Sequence, residues 1–450
     1  MINKIPLNQI LKSVNREGMS IFLLVWLGQS VSLLGSSITN FALDIWVYQQ
    51  TGSVTQLSFL IVFTTVPLVI ISPFAGVLVD HWNRRWIMII CDSGAALSTL
   101  TIASLFFIDK IQIWHIYLAS AVISSFAALQ LPAYNAATTL LVNKKHLGRA
   151  NGMNQLGEAL GQLLSPILGG VLLGFIQLSG IFVLDLSSFI FAFITLLLVR
   201  FPHHRLTKKT TATKTSLITQ TLYGFYYLRA RPGLMSLSLF FAISNFFLGI
   251  VQILIYPLVL SFASQIQLGT IMSFGGVGML IGSMLMTTWG NRSHNYINIL
   301  FCFMLLNGFS LILAGVYPSV YLSTIAAFLF FLALALFNSF TNVFFDIKVA
   351  PDSQGRVFAF NNAISYSCLP LAYLVAGPLA DNIFEPLMIT NGFLTRTVGQ
   401  IIGTGTGRGI ALMFIILGGL TIFITVATYQ YVPVRFLEKI LPNEFSSKKK

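Results

Sequence analysis

The sequence predicts an all-α membrane protein with twelve transmembrane helices in two pseudo-symmetric six-helix bundles. Three observations predict this fold: the composition, the length of the apolar runs and the placement of the basic residues. Only 9% of the 450 residues are charged and 56% are hydrophobic, a composition that a water-exposed surface does not accommodate. We therefore expect lipid to be the main solvent of this chain.

The apolar runs have the length of membrane-spanning helices. A helix crosses the hydrocarbon layer of about 30 Å with about 20 residues. The predicted spans are 19–48, 54–79, 86–108, 113–142, 148–176, 180–200, 234–261, 267–290, 296–316, 319–345, 356–380 and 408–432. The first run is read as a span and not as a signal peptide, because it continues from Gly18 to Tyr48 without a small-residue cleavage site.

The basic residues test this count, because Lys and Arg collect in cytoplasmic loops. All of them except Lys110, Arg396 and Arg408 fall on one side of the predicted spans. We therefore expect a multi-pass protein of the bacterial plasma membrane with both termini in the cytoplasm. The predicted domains are a cytoplasmic N-terminus (1–18), a first bundle (19–200), a cytoplasmic linker (201–233), a second bundle (234–432) and a basic tail (433–450).

A motif lies between the second and third spans, where residues 76–85 read GVLVDHWNRR. It resembles the cytoplasmic signature G-x-L-x-D-x-x-G-R-R of the major facilitator superfamily, with Asn83 in place of the turn glycine. The resemblance implies a gating latch and not a substrate contact. We expect Asn83 to adopt the left-handed conformation and Asp92 to pair with the arginines. The residues assigned to the latch are Gly76, Asp80, Asn83, Arg84, Arg85 and Asp92.

A second motif lies in the fifth span, where residues 161–170 read GQLLSPILGG. It resembles the G-x-x-x-G-P-x-x-G-G pattern of exporting members, and this resemblance implies a hinge and seal between the bundles. The residues assigned to it are Gly161, Pro166, Gly169 and Gly170. The alternative is an ordinary packing face of small residues. Residues 131–136, 355–358 and 377–381 resemble the macrolide-efflux and siderophore-export branch.

Polar stripes run along the first and fifth spans at three- and four-residue steps, which places each stripe on one helix face. The first comprises Gln29, Ser32, Ser36, Asn40 and Asp44, and the second comprises Asn151, Asn154, Gln155, Glu158, Gln162 and Ser165. Both stripes indicate an aqueous path. The residues assigned to proton coupling and the substrate cavity are Glu158, Asp44, Gln29, Asn40, Gln155 and Gln162.

Glu158 is the first candidate for proton coupling, because its depth in the span would desolvate the carboxylate. The alternative is a structural acid held by neighbouring amides. Asp44 lies near the outer end of its span and can simply reach water. In the second half, uncharged candidates for a cavity are Asn245, Gln252, Asn338, Asn342, Asn361, Asn362 and Tyr366.

Together these features predict a secondary active transporter, not an enzyme, that exports a small amphipathic compound by alternating access with proton antiport. The expected partners are the substrate, protons and lipid, and we expect a monomer. No cofactor, metal, nucleic acid or nucleotide is expected, because the glycine-rich segment 403–409 lacks a P-loop lysine and the cations lie in short gaps between spans. Uptake or lipid flipping on the same fold, and a non-transporting membrane sensor, are the alternatives.

Overall fold

The computed structural model describes residues 7–199, 224–289, 295–349, 351–389 and 392–440. Helices account for most of these residues, and no strand occurs among them. Twelve helices in the described part are long and apolar enough to cross a membrane. The predicted fold class is therefore confirmed.

One compact unit comprises Met1–Thr51 and Phe59–Lys208. Its helices are α1 (Leu7–Thr51), α2 (Val54–His81), α3 (Arg84–Phe107), α4 (Ile113–Leu141), α5 (Leu147–Phe175) and α6 (Gln177–Leu198). The first residues of α2, up to Ser58, group with the other unit. The core of the first unit includes Phe22, Met88 and Leu196, none of which is exposed.

The second compact unit comprises Gly52–Ser58 and Lys209–Lys450. Its long helices are α7 (Pro232–Leu260), α8 (Gln265–Trp289), α9 (Tyr296–Val316), α10 (Val320–Lys348), α11 (Pro351–Ser367) and α12 (Leu369–Leu379). Short helices α13 (Glu385–Met388) and α14 (Gly399–Ile402) precede α15 (Arg408–Gln430), which is followed by α16 (Val432–Arg435) and α17 (Leu437–Ile440). A further short helix covers 224–229.

Glycines on α1 allow close contact with α6. A Cβ atom at Gly28 would collide with Thr195, and one at Gly35 would collide with Ser188. In the absence of a strong hydrophobic force between helices in lipid, such small-residue contacts supply the van der Waals packing. They bring the polar side chains of α1 within reach of α6.

Large apolar side chains cover the outside of both units. Phe74 and Leu198 are each 71% exposed, and Tyr321 is 84% exposed. Exposed apolar side chains at this density indicate a surface in contact with lipid, because a soluble monomer keeps such patches small.

The eleventh span differs from its prediction. The sequence indicates 356–380, whereas the spanning segment of the structure is Phe360–Met388. The helix continues past Pro378 through a π-helical turn, Ala380–Phe384, into α13. The acids Asp381 and Glu385 end the apolar run in the sequence, but the structure satisfies both carboxylates with hydrogen bonds.

Candidate functional site

A buried carboxylate lies in the first unit, held by two glutamines from other helices. Asp92 on α3 is 6% exposed. Gln29 Nε2 on α1 donates to Asp92 Oδ2 at 2.9 Å, and Gln130 Nε2 on α4 donates to Asp92 Oδ1 at 2.8 Å. Gln130 Nε2 also donates to Gln29 Oε1 at 2.8 Å. We name these three residues the Asp92 cluster.

The expected pairing of Asp92 with the arginine latch is wrong. Arg85 Nε donates to the carbonyl of Leu196 at 2.9 Å, and Arg85 Nη2 donates to that of Leu197 at 2.9 Å. These carbonyls lie in the last turn of α6, where no intrahelical donor remains and a cation is favoured by the helix dipole. Arg85 therefore ties α3 to the end of α6, and Asp92 turns toward α1 and α4.

Asn83 is a helix cap and not a left-handed turn residue. Its backbone is extended, with φ −69° and ψ 116°, and its Oδ1 accepts a hydrogen bond from Arg85 N at 3.1 Å. An asparagine in this conformation satisfies a free N–H at the start of a helix. The left-handed turn expected at this position is therefore wrong. Gly76 and Asp80 belong to the last turns of α2, but the Asp80 side chain lies outside the described residues, and the gating role of the motif stays a prediction.

The polar stripe of α1 divides between two buried acids and the surface. Gln29 donates a hydrogen bond to Asp92. Two turns further along α1, Ser36 Oγ donates to Asp185 Oδ1 on α6 at 3.3 Å. Asn40 is exposed and Asp44 is half-buried. Part of the stripe therefore serves contacts inside the first unit, where the sequence predicts an aqueous face.

The polar stripe of α5 is largely exposed. Asn151, Gln155, Glu158 and Gln162 are all exposed in the first unit. An exposed carboxylate on a spanning helix needs water or a partner, because a charge in hydrocarbon costs several kcal/mol. The stripe is thus suited to an aqueous path. The sequence predicts burial of Glu158, whereas its side chain is exposed in the first unit; its role in proton coupling stays a prediction.

The small residues of α5 pack against α1. Gly161 and Gly169 are buried, and an added Cβ atom at Gly169 would lie 2.7 Å from Phe41 Cδ1. Pro166 and Gly170 are buried on the same helix. This contact agrees with the alternative interpretation of the motif, an ordinary packing face of small residues. A hinge or seal formed by these residues stays a prediction.

A cavity of about 320 Å³ lies within the second unit, between α7, α9, α10, α11 and α15. Neither an acid nor a base lines it in the described part of the chain. Its polar lining consists of the amides Asn245, Asn307, Asn338, Asn342, Asn361 and Asn362, with the hydroxyls of Ser244, Thr341, Ser365, Tyr366 and Thr421. Phenylalanines 241, 247, 330 and 337 supply aromatic walls.

The structure brings six of the seven predicted cavity residues of the second half into this cavity. The exception is Gln252, whose Oε1 accepts a hydrogen bond from Tyr373 at 2.8 Å. Asn307 was missed by the sequence reasoning, because it is a lone amide in the apolar run of α9. The other amides of the cavity lie on different helices, so no spacing in the sequence connects Asn307 with them.

Three buried polar atoms of this cavity have no hydrogen-bond partner among the described residues: Asn307 Oδ1, Thr341 Oγ1 and Ser365 Oγ. Asn307 is 3% exposed and Ser365 is 5% exposed. Asn361, by contrast, accepts a hydrogen bond from Ser238 at 2.7 Å. A buried polar group without a partner costs about 1–3 kcal/mol, so the cavity offers these groups to a bound molecule.

Two acids of the second unit, Asp381 and Glu385, cap the starts of helices. The sequence does not predict this role. Asp381 accepts hydrogen bonds from Val54 N at 3.0 Å and Thr55 N at 2.8 Å, at the start of α2. Glu385 accepts from Ile410 N at 3.0 Å, at the start of α15. Each carboxylate satisfies free N–H groups and complements the positive end of a helix dipole.

Comparison with known families agrees with this architecture. The family model described as Major Facilitator Superfamily matches residues 25–373, well over half of the chain. This chain belongs to the major facilitator superfamily. The family predicted from residues 76–85 is thereby confirmed.

Relatives within the superfamily match the predicted branch. The chain is 28% identical over 370 residues to macrolide efflux protein A of Streptococcus pyogenes, a match covering 80% of this chain and 90% of the relative. It is 26% identical over 152 residues to the enterobactin exporter EntS of Citrobacter koseri, covering 34% of this chain and 36% of the relative. The resemblance to the macrolide-efflux and siderophore-export branch is therefore confirmed.

The solved structures share the superfamily fold. The crystal structure of the nucleoside transporter NupG matches with a TM-score of 0.67 at 15% identity, covering 91% of this chain and 99% of that chain. At this identity the likeness shows the fold alone. Family and fold are those of a multi-pass membrane transporter.

Proposed function

We propose that this superfamily member exports a small, predominantly uncharged amphipathic compound by alternating access, in exchange for protons. The observation that carries the proposal is the amide cavity of the second unit, where the described residues include no charged lining side chain and leave three buried polar atoms without a hydrogen-bond partner. The efflux relatives support the direction of transport, since their names record export of a macrolide and of enterobactin.

The cavity favours a particular substrate chemistry. Amides and hydroxyls both donate and accept hydrogen bonds, while the phenylalanines offer apolar and ring-face contacts. Without a charged lining residue in the described part, a compound of high net charge gains no ion pair there. A molecule with carbonyl and hydroxyl groups on an apolar frame fits these walls, and macrolides belong to this class. A cavity of about 320 Å³ accommodates one part of such a molecule.

Proton coupling needs a carboxylate that can exchange a proton with water. The carboxylates that the sequence assigns to this role are Glu158, which lies exposed among the amides of α5, and Asp44, which is half-buried on α1. We also propose cytoplasmic termini and a monomeric protein. The latch at residues 76–85 and the hinge at 161–170 are proposed to gate the alternation.

Reconstituted transport tests the proposal. Proteoliposomes containing the full chain are given a pH gradient and radiolabelled erythromycin, with enterobactin in a parallel set. We expect uphill transport that collapses when a protonophore dissipates the gradient, and substrate-dependent proton flux. Transport of neither compound, with or without the gradient, would overturn the proposal and favour a non-transporting role.

The variant Glu158→Gln separates the candidate carboxylates. If Glu158 carries the proton, this variant loses substrate-dependent proton flux while an exposed control, Asp346→Asn, retains it. Wild-type flux in Glu158→Gln refutes the coupling role of this residue and leaves the export function intact.

A further inference from the structure

The Asp92 cluster holds a buried carboxylate, with which no cation of the described residues forms a hydrogen bond. The hydrogen-bond partners of Asp92 among the described residues are the amides of Gln29 and Gln130. An ionised carboxylate buried with neutral partners is expensive, and an Arg or Lys partner would offset that cost by fixing the ionised state. Two amides stabilise the ionised form only partly.

Glutamine partners can serve either protonation state. An amide offers N–H donors on one side and an oxygen acceptor on the other, so a half-turn about its last bond presents the opposite group. A carboxylate accepts from the NH₂, whereas a carboxylic acid donates its proton to the amide oxygen. Gln130 Oε1 is buried and has no hydrogen-bond partner in the described part of the chain. The cluster therefore contains a spare acceptor for one added proton.

The position of the cluster suits a proton that must reach water. Asp92 lies 8 residues into α3 and Gln130 lies 11 residues before the end of α4. At about 1.5 Å per residue, Asp92 lies about 12 Å from the start of α3 and Gln130 about 17 Å from the end of α4. Each depth is close to half of a hydrocarbon layer of about 30 Å. Gln29 and Gln130 are half-buried whereas Asp92 is buried, so the amides are the more accessible members of the cluster.

We propose that Asp92, held between Gln29 and Gln130, is the group that binds and releases the proton exchanged for substrate. This inference rests on the proposed proton antiport and names its site. A proton that arrives through water converts the carboxylate to the carboxylic acid. An amide reorients so that its oxygen accepts a hydrogen bond from the new O–H group. Release of the proton to water on the other side restores the carboxylate. No bond other than O–H forms or breaks.

Other titratable groups lie on the helices around the cluster. Cys91 adjoins Asp92 on α3 and is buried. Tyr134, one turn after Gln130 on α4, donates to Asn154 Oδ1 at 2.8 Å. On the helices packed beside α1 and α3, Asp185 accepts from Ser36, and Arg85 donates to carbonyls of α6. None of these groups forms a hydrogen bond with Asp92.

Infrared spectroscopy tests the site without a substrate. The full-length protein in lipid nanodiscs is titrated with pH, and the carboxylic-acid C=O band is recorded for wild type, Asp92→Asn and the buried control Asp185→Asn. We expect one titrating component of this band to be present in wild type and in Asp185→Asn and to be missing in Asp92→Asn, while the components from the other carboxyl groups remain. An unchanged band in Asp92→Asn overturns the proposal.

Transport separates this inference from the function on which it rests. In proteoliposomes, Asp92→Asn is expected to exchange erythromycin across the membrane but to lose uphill transport driven by a pH gradient. Wild-type uphill transport in Asp92→Asn overturns the site and leaves antiport intact, whereas failure of the wild type itself to respond to the gradient overturns antiport.

A second variant covers the case in which Asp92→Asn does not fold. Gln130→Leu keeps the carboxylate but removes one of its two donors. A hydrogen bond to a charged group is worth about 1.5–3 kcal/mol, so the midpoint of the acid band should shift by about one to two pH units. An unshifted midpoint in folded Gln130→Leu contradicts the proposal.

Discussion

Two alanine substitutions on α5 provide a matched test of how this helix packs against α1. Gly161 and Gly169 lie two turns apart on the same buried face. A Cβ atom at Gly169 would lie 2.7 Å from Phe41 Cδ1, whereas one at Gly161 would lie 3.7 Å from Leu33 Cδ2. The two positions differ in available space and not in helical context. Gly169→Ala should therefore destabilise the protein and Gly161→Ala should not.

The contact distances set the size of the effect. Carbon atoms pack best at about 3.5–4.0 Å, so the alanine at 169 overlaps Phe41 by about 0.8 Å. The Phe41 side chain is 4% exposed and has little room to move. Overpacking of this kind costs about 1–3 kcal/mol, partly offset by the helix preference for Ala over Gly. At Gly161 only the helix preference acts, which gives a gain of about 0.5–1 kcal/mol.

Thermal unfolding in lipid nanodiscs, followed by tryptophan fluorescence, measures the difference. We expect a lower midpoint for Gly169→Ala and an equal or higher midpoint for Gly161→Ala. Equal destabilisation by both variants would refute the packing argument. If Gly161→Ala folds normally but loses erythromycin export, the hinge predicted from the motif gains support.

Two further predictions concern the second unit. Asp381→Ala should lower the free energy of unfolding by about 1–2 kcal/mol, because Val54 N and Thr55 N lose their acceptor. Hydrogen exchange at these two amides should become faster, and unchanged exchange would contradict the prediction. Asn307→Leu should leave thermal stability equal or higher, because it removes a buried oxygen that has no hydrogen-bond partner among the described residues. It should also weaken erythromycin transport; a loss of stability with normal transport would contradict a substrate role.

The fold was predictable because its signals are local. Each span is a continuous apolar run whose length follows from the thickness of the bilayer, and the alternation of basic loops checks the count. The eleventh span shows where this reasoning stops. Asp381 and Glu385 end the apolar run in the sequence. Their carboxylate oxygens accept hydrogen bonds from backbone N–H groups of other segments, so the helix continues past them.

The candidate site was predictable in its residue types but not in its partners. The sequence predicts seven uncharged cavity residues in the second half, and six of them line one cavity. Proximity in sequence predicts that Asp92 pairs with the arginines. Its actual partners, Gln29 and Gln130, lie on two other helices, and only the rotation of those helices about their axes brings the amides to it.

The sequence by itself determined that this protein spans the membrane about twelve times and belongs among the major facilitators, because hydropathy, loop charge and short motifs are properties of consecutive residues. The tertiary structure decided which acids are buried and what holds them. Burial and hydrogen bonding depend on which faces of separate helices meet, so Asp92 is buried between amides while Glu158 stays exposed. That difference moves the proposed proton site from α5 to the contact of α1, α3 and α4.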